Sequence, residues 1–264
     1  MPSFIALAHL LILVGQSNAY GFEVQSADVP ARYTVTEQVQ IYNRQTGAFE
    51  TLVPGVNTNN RSTNWGPEVE YAYLFHKDHP TETLYVFKNV EGGSGLAKDG
   101  VTPDWSPQSK GDIFDKATSR LMQAKADISK RGEDVTCTRI AVMQGETDAT
   151  SASASAAYST NLKDFVAHAR GAWGKSDTLV LIGRINAPKL PFRNAVRLAQ
   201  SALAKRDGRA VLVDTDGLAL QPDQLHLNAV GEIGLGAALY AAARDAELKT
   251  GDSTGCPGAS RQHP

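Results

Sequence analysis

The sequence predicts an α/β protein: a three-layer α/β/α sandwich around a central, mostly parallel, five-stranded sheet. Three observations carry this. Short continuous apolar runs alternate with longer amphipathic stretches along nearly the whole chain. The runs lack the polar alternation of a half-exposed strand, as expected of strands covered on both faces. The spacing between runs leaves room for helical crossovers, which pair strands in parallel and pack helices back on the sheet. A chain of 264 residues suits one well-buried domain. That domain is expected over residues 1–248, with 249–264 as a mobile C-terminal tail.

The elements follow in order. The apolar stretch 4–14 is short for a membrane span and superficially like the core of a signal peptide. It has no basic leader and runs straight into Gly15-Gln16-Ser17-Asn18 with no room for a cleavage site, so residues 5–14 read as the first core strand. A secretory signal would have to lie upstream. With one the protein is secreted or periplasmic, without one cytoplasmic, and soluble in either case. Residues 39–43 and 48–52 flank Arg44-Gln45-Thr46-Gly47, a small hairpin signal. Pro67 opens a helix through about Phe75, proline being tolerated in a first turn.

Residues 84–90 are the second buried strand, followed by a glycine-rich loop. Ile113, Ala117, Leu121, Ala124 and Ile128 then recur at helical spacing. The third strand spans 138–143. Residues 151–157, rich in Ser and Ala, form a helix entry, and Tyr158, Leu162, Phe165 and Ala169 mark that helix. The fourth strand is 179–183. Val196, Ala199 and Leu203 mark the next helix, 211–214 the fifth strand, and 229–248 the last helix.

Charge excludes some functions. Lys plus Arg number 26 against 28 for Asp plus Glu, and no basic stripe suggests a nucleic-acid surface. No membrane partner is expected, and no sequence pattern reports the oligomeric state. Cys137, in an apolar run, reads as a small buried hydrophobe, and a bridge to Cys256 in the Gly/Pro/Ser tail is the lesser alternative. His76 and His79 share a helix end without further ligands at metal spacing, so neither a metal nor a cofactor is expected.

In an open α/β sheet, ligands bind beyond the carboxyl ends of the strands. The loops there carry Gly15-Gln16-Ser17-Asn18, Glu91-Gly92-Gly93-Ser94-Gly95, Gln144-Gly145-Glu146-Thr147-Asp148 and Asp223-Gln224-Leu225-His226. An Asp three residues before a His in a turn can orient the imidazole and stabilise its cation. A Ser in a tight turn after a buried strand is a suitable nucleophile for that base. Amides of Gly92 or Gly93 can approach a reacting carbonyl closely, and the Gln144 amide can add a donor. Each residue alone has an ordinary reading as a turn, cap or loop brace; convergence on one edge favours chemistry.

Together with Gly66-Pro67-Glu68, these blocks resemble, in order, those of the sialate O-acetylesterase-like group, carbohydrate esterase family 6, which includes acetylxylan esterases and belongs to the SGNH hydrolase superfamily. The resemblance spans about residues 12–240. It implies a flavodoxin-like SGNH fold and a serine esterase that removes acetyl groups from a carbohydrate. It also implies Ser17 as nucleophile, His226 as general base and Asp223 as its partner. The implied oxyanion hole comprises the Ser17 amide, a glycine amide (Gly93 in preference to Gly92) and Gln144. Glu146 and Asp148 are expected to brace their loop. Trp65 and Trp105 flank the site and either stack on a sugar or plug the fold. Arg184 either binds a sugar or is an ordinary solvated residue.

Two rival readings differ in class. A GDSL-type lipase or thioesterase would use the same triad on longer acyl chains. A non-catalytic carbohydrate-binding module would have no chemical need for Ser17, Asp223 and His226 together. An α/β-hydrolase fits less well, because Ala19 replaces the second elbow glycine and Asp223 lies unusually close to His226.

Overall fold

The computed structural model describes residues 8–33, 35–59, 62–98 and 103–250. Its strands are β1 (Ala8–Gly15), β2 (Val39–Asn43), β3 (Ala48–Thr51), β4 (Thr83–Val90), β5 (Val135–Met143), β6 (Leu179–Gly183) and β7 (Ala210–Val213). Its helices are α1 (Ser17–Tyr20), α2 (Glu68–Asp78), α3 (Ile113–Lys130), α4 (Ala152–Trp173), α5 (Arg193–Arg206) and α6 (Ala229–Thr250). The strands form one sheet of order β3-β2-β4-β1-β5-β6-β7. Only the β2–β3 pair is antiparallel.

The mostly parallel α/β/α architecture is as expected, but the sheet has seven strands rather than five. The expected hairpin joins it as β2 and β3, because β2 finds a parallel partner in β4. Residues too few and too polar to read as core strands become sheet when a buried edge offers them hydrogen bonds. The expected tail and Cys256 lie outside the described residues. Cys137 is buried on β5 and disulfide-bonded rather than an unpaired hydrophobe, which corrects the reading made of it.

β1 shows why the central run is apolar throughout. Ala8, Leu10, Ile12 and Val14 join the core beneath α3, α4 and α5. Leu11 and Leu13 join the opposite core beneath α2 and α6. Helix faces match: Ala117, Leu121, Ala124 and Ile128 of α3 and Tyr158, Leu162, Phe165 and Ala169 of α4 are all buried, and the Ser151 hydroxyl caps α4 by accepting the Ala154 amide. Among the described residues no helix is long and apolar enough to cross a membrane.

The chain departs from β1 to build one half of the sheet and crosses back to build the other. The carboxyl end of β1 is therefore where the halves meet, the place an open sheet leaves for a ligand. Gly15 makes the turn there. Its φ is +143°, and a Cβ would fall 1.9 Å from the Met143 carbonyl oxygen at the end of β5. Gly15→Ala combines a strained backbone with a main-chain clash, so a loss of at least about 2 kcal/mol is expected in urea denaturation. A change below about 0.5 kcal/mol would show that the turn has slack.

Candidate active site

Ser17 is the first residue of α1, a single helical turn set directly on the end of β1. Its side chain opens on a cavity of about 270 Å³, whose walls include Tyr20, Phe22, Arg44, Lys88, Glu91 and Gly92. The amides of Ser17, Gly92 and Gly93 have no acceptor among the described residues. Gly93 has a φ of +70°, a turn conformation that favours glycine.

Asp223 and His226 form a compact local unit. Asp223 Oδ1 accepts the amides of Leu225 and His226 at 2.9 and 3.0 Å, and Oδ2 lies 2.6 Å from His226 Nδ1. Burial alone would push the Asp223 carboxyl up, but the two amides and the imidazole outweigh it and hold the group below the ordinary carboxylate range. An ionised Asp223 places the proton on Nδ1 and leaves Nε2 as the basic nitrogen. The His226 ring lies against Phe22 with centroids 4.3 Å apart, and Phe22 lines the Ser17 cavity. Among the described residues Ser17 Oγ has no hydrogen-bond partner, so the approach of Ser17 and His226 is held by their loops.

Those loops are joined by buried polar side chains. Asn18 Nδ2 donates to Leu225 O and Glu146 Oε1, and Asn18 Oδ1 accepts the Leu227 amide. Gln16 Oε1 accepts the amides of Gly145 and Thr147. Asp148 accepts the amides of Leu96 and Ala97, so Glu146 and Asp148 do brace the loops. Burial raises the pKa of both.

Gln144 faces inward. Its Nε2 donates to Asp148 Oδ2 at 2.7 Å and to Ser94 O at 3.2 Å, and the Tyr158 hydroxyl lies 3.0 Å from its Oε1. Both amide hydrogens are thus committed, and Gln144 reaches an oxyanion only by releasing the longer bond, to Ser94.

The sequence profile of the family described as carbohydrate esterase, sialic acid-specific acetylesterase, matches residues 7–245. The chain belongs to that family. No curated protein matches this esterase by sequence. Among solved structures it is similar to a protein from Arabidopsis thaliana, with 20% identity and a TM-score of 0.73 over 89% of this chain and 96% of that one. It is also similar to NanS, with 13% identity and a TM-score of 0.63 over 92% and 97%. A third is a carbohydrate acetylesterase from Xanthomonas citri, with 16% identity and a TM-score of 0.62 over 93% of this chain and 57% of that one. At these identities the likeness shows the fold alone.

Trp65, Trp105 and Arg184, each read either as a sugar contact or as an ordinary structural residue, have partners away from the cavity. Trp65 is fully buried, its indole N–H donating to Gln25 O. Trp105 is equally buried and donates to Ser94 Oγ. Neither ring offers a face to a sugar; both plug the loops behind the site. Arg184 is ion-paired with Asp214 and with Asp216, and it does not line the Ser17 cavity.

The sequence reading missed Asn18, Phe22, Arg44 and Lys88. Lys88 alone carried a signal, as a charge inside an apolar strand that must find a partner. It pairs with buried Glu68 at 2.8 Å and donates to Tyr20 O, supporting the Ser17 turn from below.

The pairing of Arg184 and Arg197 with Asp216 separates the acids near the site. Asp223→Asn should lower kcat by up to ~10⁴-fold, because the amide no longer selects the Nδ1–H tautomer. Asp216→Asn should leave kcat within about threefold while lowering the melting temperature. Steady-state kinetics and melting curves on both variants check this; a large kcat loss at Asp216 with a small one at Asp223 would reverse the assignment.

Proposed function

We propose that this carbohydrate esterase cleaves its acetyl esters through an acetyl-enzyme on Ser17, and that its substrate is an acetylated acidic sugar, O-acetyl sialic acid first. The observation that carries the reading is the 2.6 Å Asp223–His226 pair held against the Ser17 turn at the carboxyl edge of the sheet. His226 Nε2 accepts the Ser17 proton as Oγ attacks the acetyl carbonyl. Negative charge grows on the carbonyl oxygen, where the Ser17 and Gly93 amides donate to it, joined by Gln144 once its Nε2 releases Ser94 O. The intermediate collapses, the sugar oxygen leaves with the proton from His226, and a water activated by the same imidazole releases acetate.

The cavity walls support a sugar over a long acyl chain. Tyr20, Arg44, Asn59 and Glu91 bring polar side chains to the wall, with Phe22 and Val90 as the apolar side chains among them. A long acyl chain would need a mostly apolar slot. A guanidinium on the wall, Arg44, suits a sugar carboxylate. The specificity in the family's description points the same way.

Acetate release should be greatest from O-acetyl sialic acid, lower from acetylated xylan, and highest for acetate in a series of p-nitrophenyl esters. Ser17→Ala should abolish turnover, and an organophosphonate should add one mass label, on the Ser17 peptide. A decanoate optimum would replace this reading with the lipase one, and turnover by the alanine variant would remove the acyl-serine.

Gln144→Ala should lower kcat about 10²–10³-fold with little change in KM, and Gln144→Asn should recover part of it. A variant that melts earlier yet keeps its kcat would assign Gln144 to bracing alone.

A further inference from the structure

Asp223 orients the His226 ring but moves with it, being three residues away in the same loop. It cannot set how far that loop stands from Ser17. Ser17 Oγ makes no bond to the imidazole, so the pair does not hold its own separation. Bonds between the two loops must do so.

Asn18 supplies them. Its side chain is buried, and its amide makes three hydrogen bonds to the loops beside Ser17. Nδ2 donates to Leu225 O at 3.2 Å and Oδ1 accepts the Leu227 amide at 2.9 Å, so one amide grips the main chain on both sides of His226. Nδ2 also donates to Glu146 Oε1 at 2.7 Å. We propose that Asn18 is the positioning residue of the general base: it clamps the peptide flanking His226 to the nucleophile turn, and Glu146 selects the amide orientation that makes the clamp. This rests on the reading of Ser17 and His226 as nucleophile and base.

The orientation has a physical basis. Leu225 O and a carboxylate oxygen accept, and the Leu227 N–H donates. Turning the Asn18 amide over would set oxygen against two acceptors and nitrogen against a donor. Gln221 Nε2, donating to Phe22 O, adds a further link between the loops on the Phe22 side. Asn18 differs from it in gripping both neighbours of the imidazole and in being joined directly to Ser17.

The test compares Asn18→Ala and Asn18→Asp with Ile128→Ala, a cavity variant in the last turns of α3, at the opposite edge of the sheet. Each is assayed with p-nitrophenyl acetate, titrated with an organophosphonate that labels serine, and melted. A misplacement of about 1 Å can lower a rate by 10²-fold. Asn18→Ala should therefore lose about 10²-fold in kcat with KM within about threefold, and its phosphonylation should slow in parallel. Asn18→Asp keeps the acceptor for the Leu227 amide, loses both donors, and should do no better; being isosteric, it carries the comparison if the alanine variant does not fold. Ile128→Ala should melt earlier yet keep its kcat within about threefold. A folded Asn18 variant with wild-type kcat and phosphonylation rate overturns the proposal, as does an equal kcat loss in Ile128→Ala. If the wild-type protein is not labelled at Ser17, the nucleophile reading falls first and the clamp with it.

Discussion

A strand with apolar cores on both faces cannot slip in register without exchanging two complete sets of buried side chains, and β1 is such a strand. Its flanking partners, β4 and β5, are long and parallel to it, so the end of β1 is tied on two sides. The turn after Gly15 inherits that rigidity. A nucleophile must be held within fractions of an ångström of its base, and a loop between flexible elements would not hold it. The loops bearing Gly92-Gly93 and Gln144 leave the neighbouring strands β4 and β5 at the same edge, whereas the Asp223–His226 loop follows β7, at the far side of the sheet, and is tied back to the Ser17 turn through Asn18.

Rigidity at the strand ends is extended through buried polar groups. Gln16 and Asn18 both bond the loop after β5, Asn18 also bonds the loop bearing His226, Asp148 gathers the amides of Leu96 and Ala97, and Gln144 ties Ser94 to Asp148. Such groups are stabilising only when bonded, since a buried donor or acceptor without a partner costs about 1–3 kcal/mol. The network therefore specifies one loop arrangement more strongly than apolar packing would. Below it, Lys88 and Glu68 form an ion pair almost wholly out of water, and removal of either partner would strand a charge at a cost of about 3–5 kcal/mol. Glu232 lies near this pair, fully buried, and burial pushes its carboxyl well above the ordinary range.

Two groups of acids near the carboxyl edge have separate electrostatic roles. Among the described residues Asp223 bonds the His226 ring and two amides of its own turn. Asp214 and Asp216 face Arg184, and Asp216 also takes a two-pronged grip from Arg197. Among the described residues these two acids are bonded to the arginines and neither is bonded to His226. Proximity in sequence to the end of β7 is thus no guide to which acid bonds the imidazole.

Short-range chemistry determined what could be read from the chain by itself. Apolar runs between amphipathic stretches specified a parallel sheet with two helical layers, because strand and helix periodicities are local. The Asp223–His226 pair was legible because three residues in a tight turn suffice to form it. Ser17 was legible because its strand end is fixed by the run before it. The tertiary structure decided the rest. Asn18 meets partners 128 to 209 residues away, a match that exists only after every crossover is complete. Arg44 reaches the cavity only because the β2–β3 hairpin extends the sheet past β4. Trp65, Trp105 and Gln144 occupy the predicted loops, but the direction in which a loop side chain points is settled by which backbone groups need a partner beneath it, and all three turned inward.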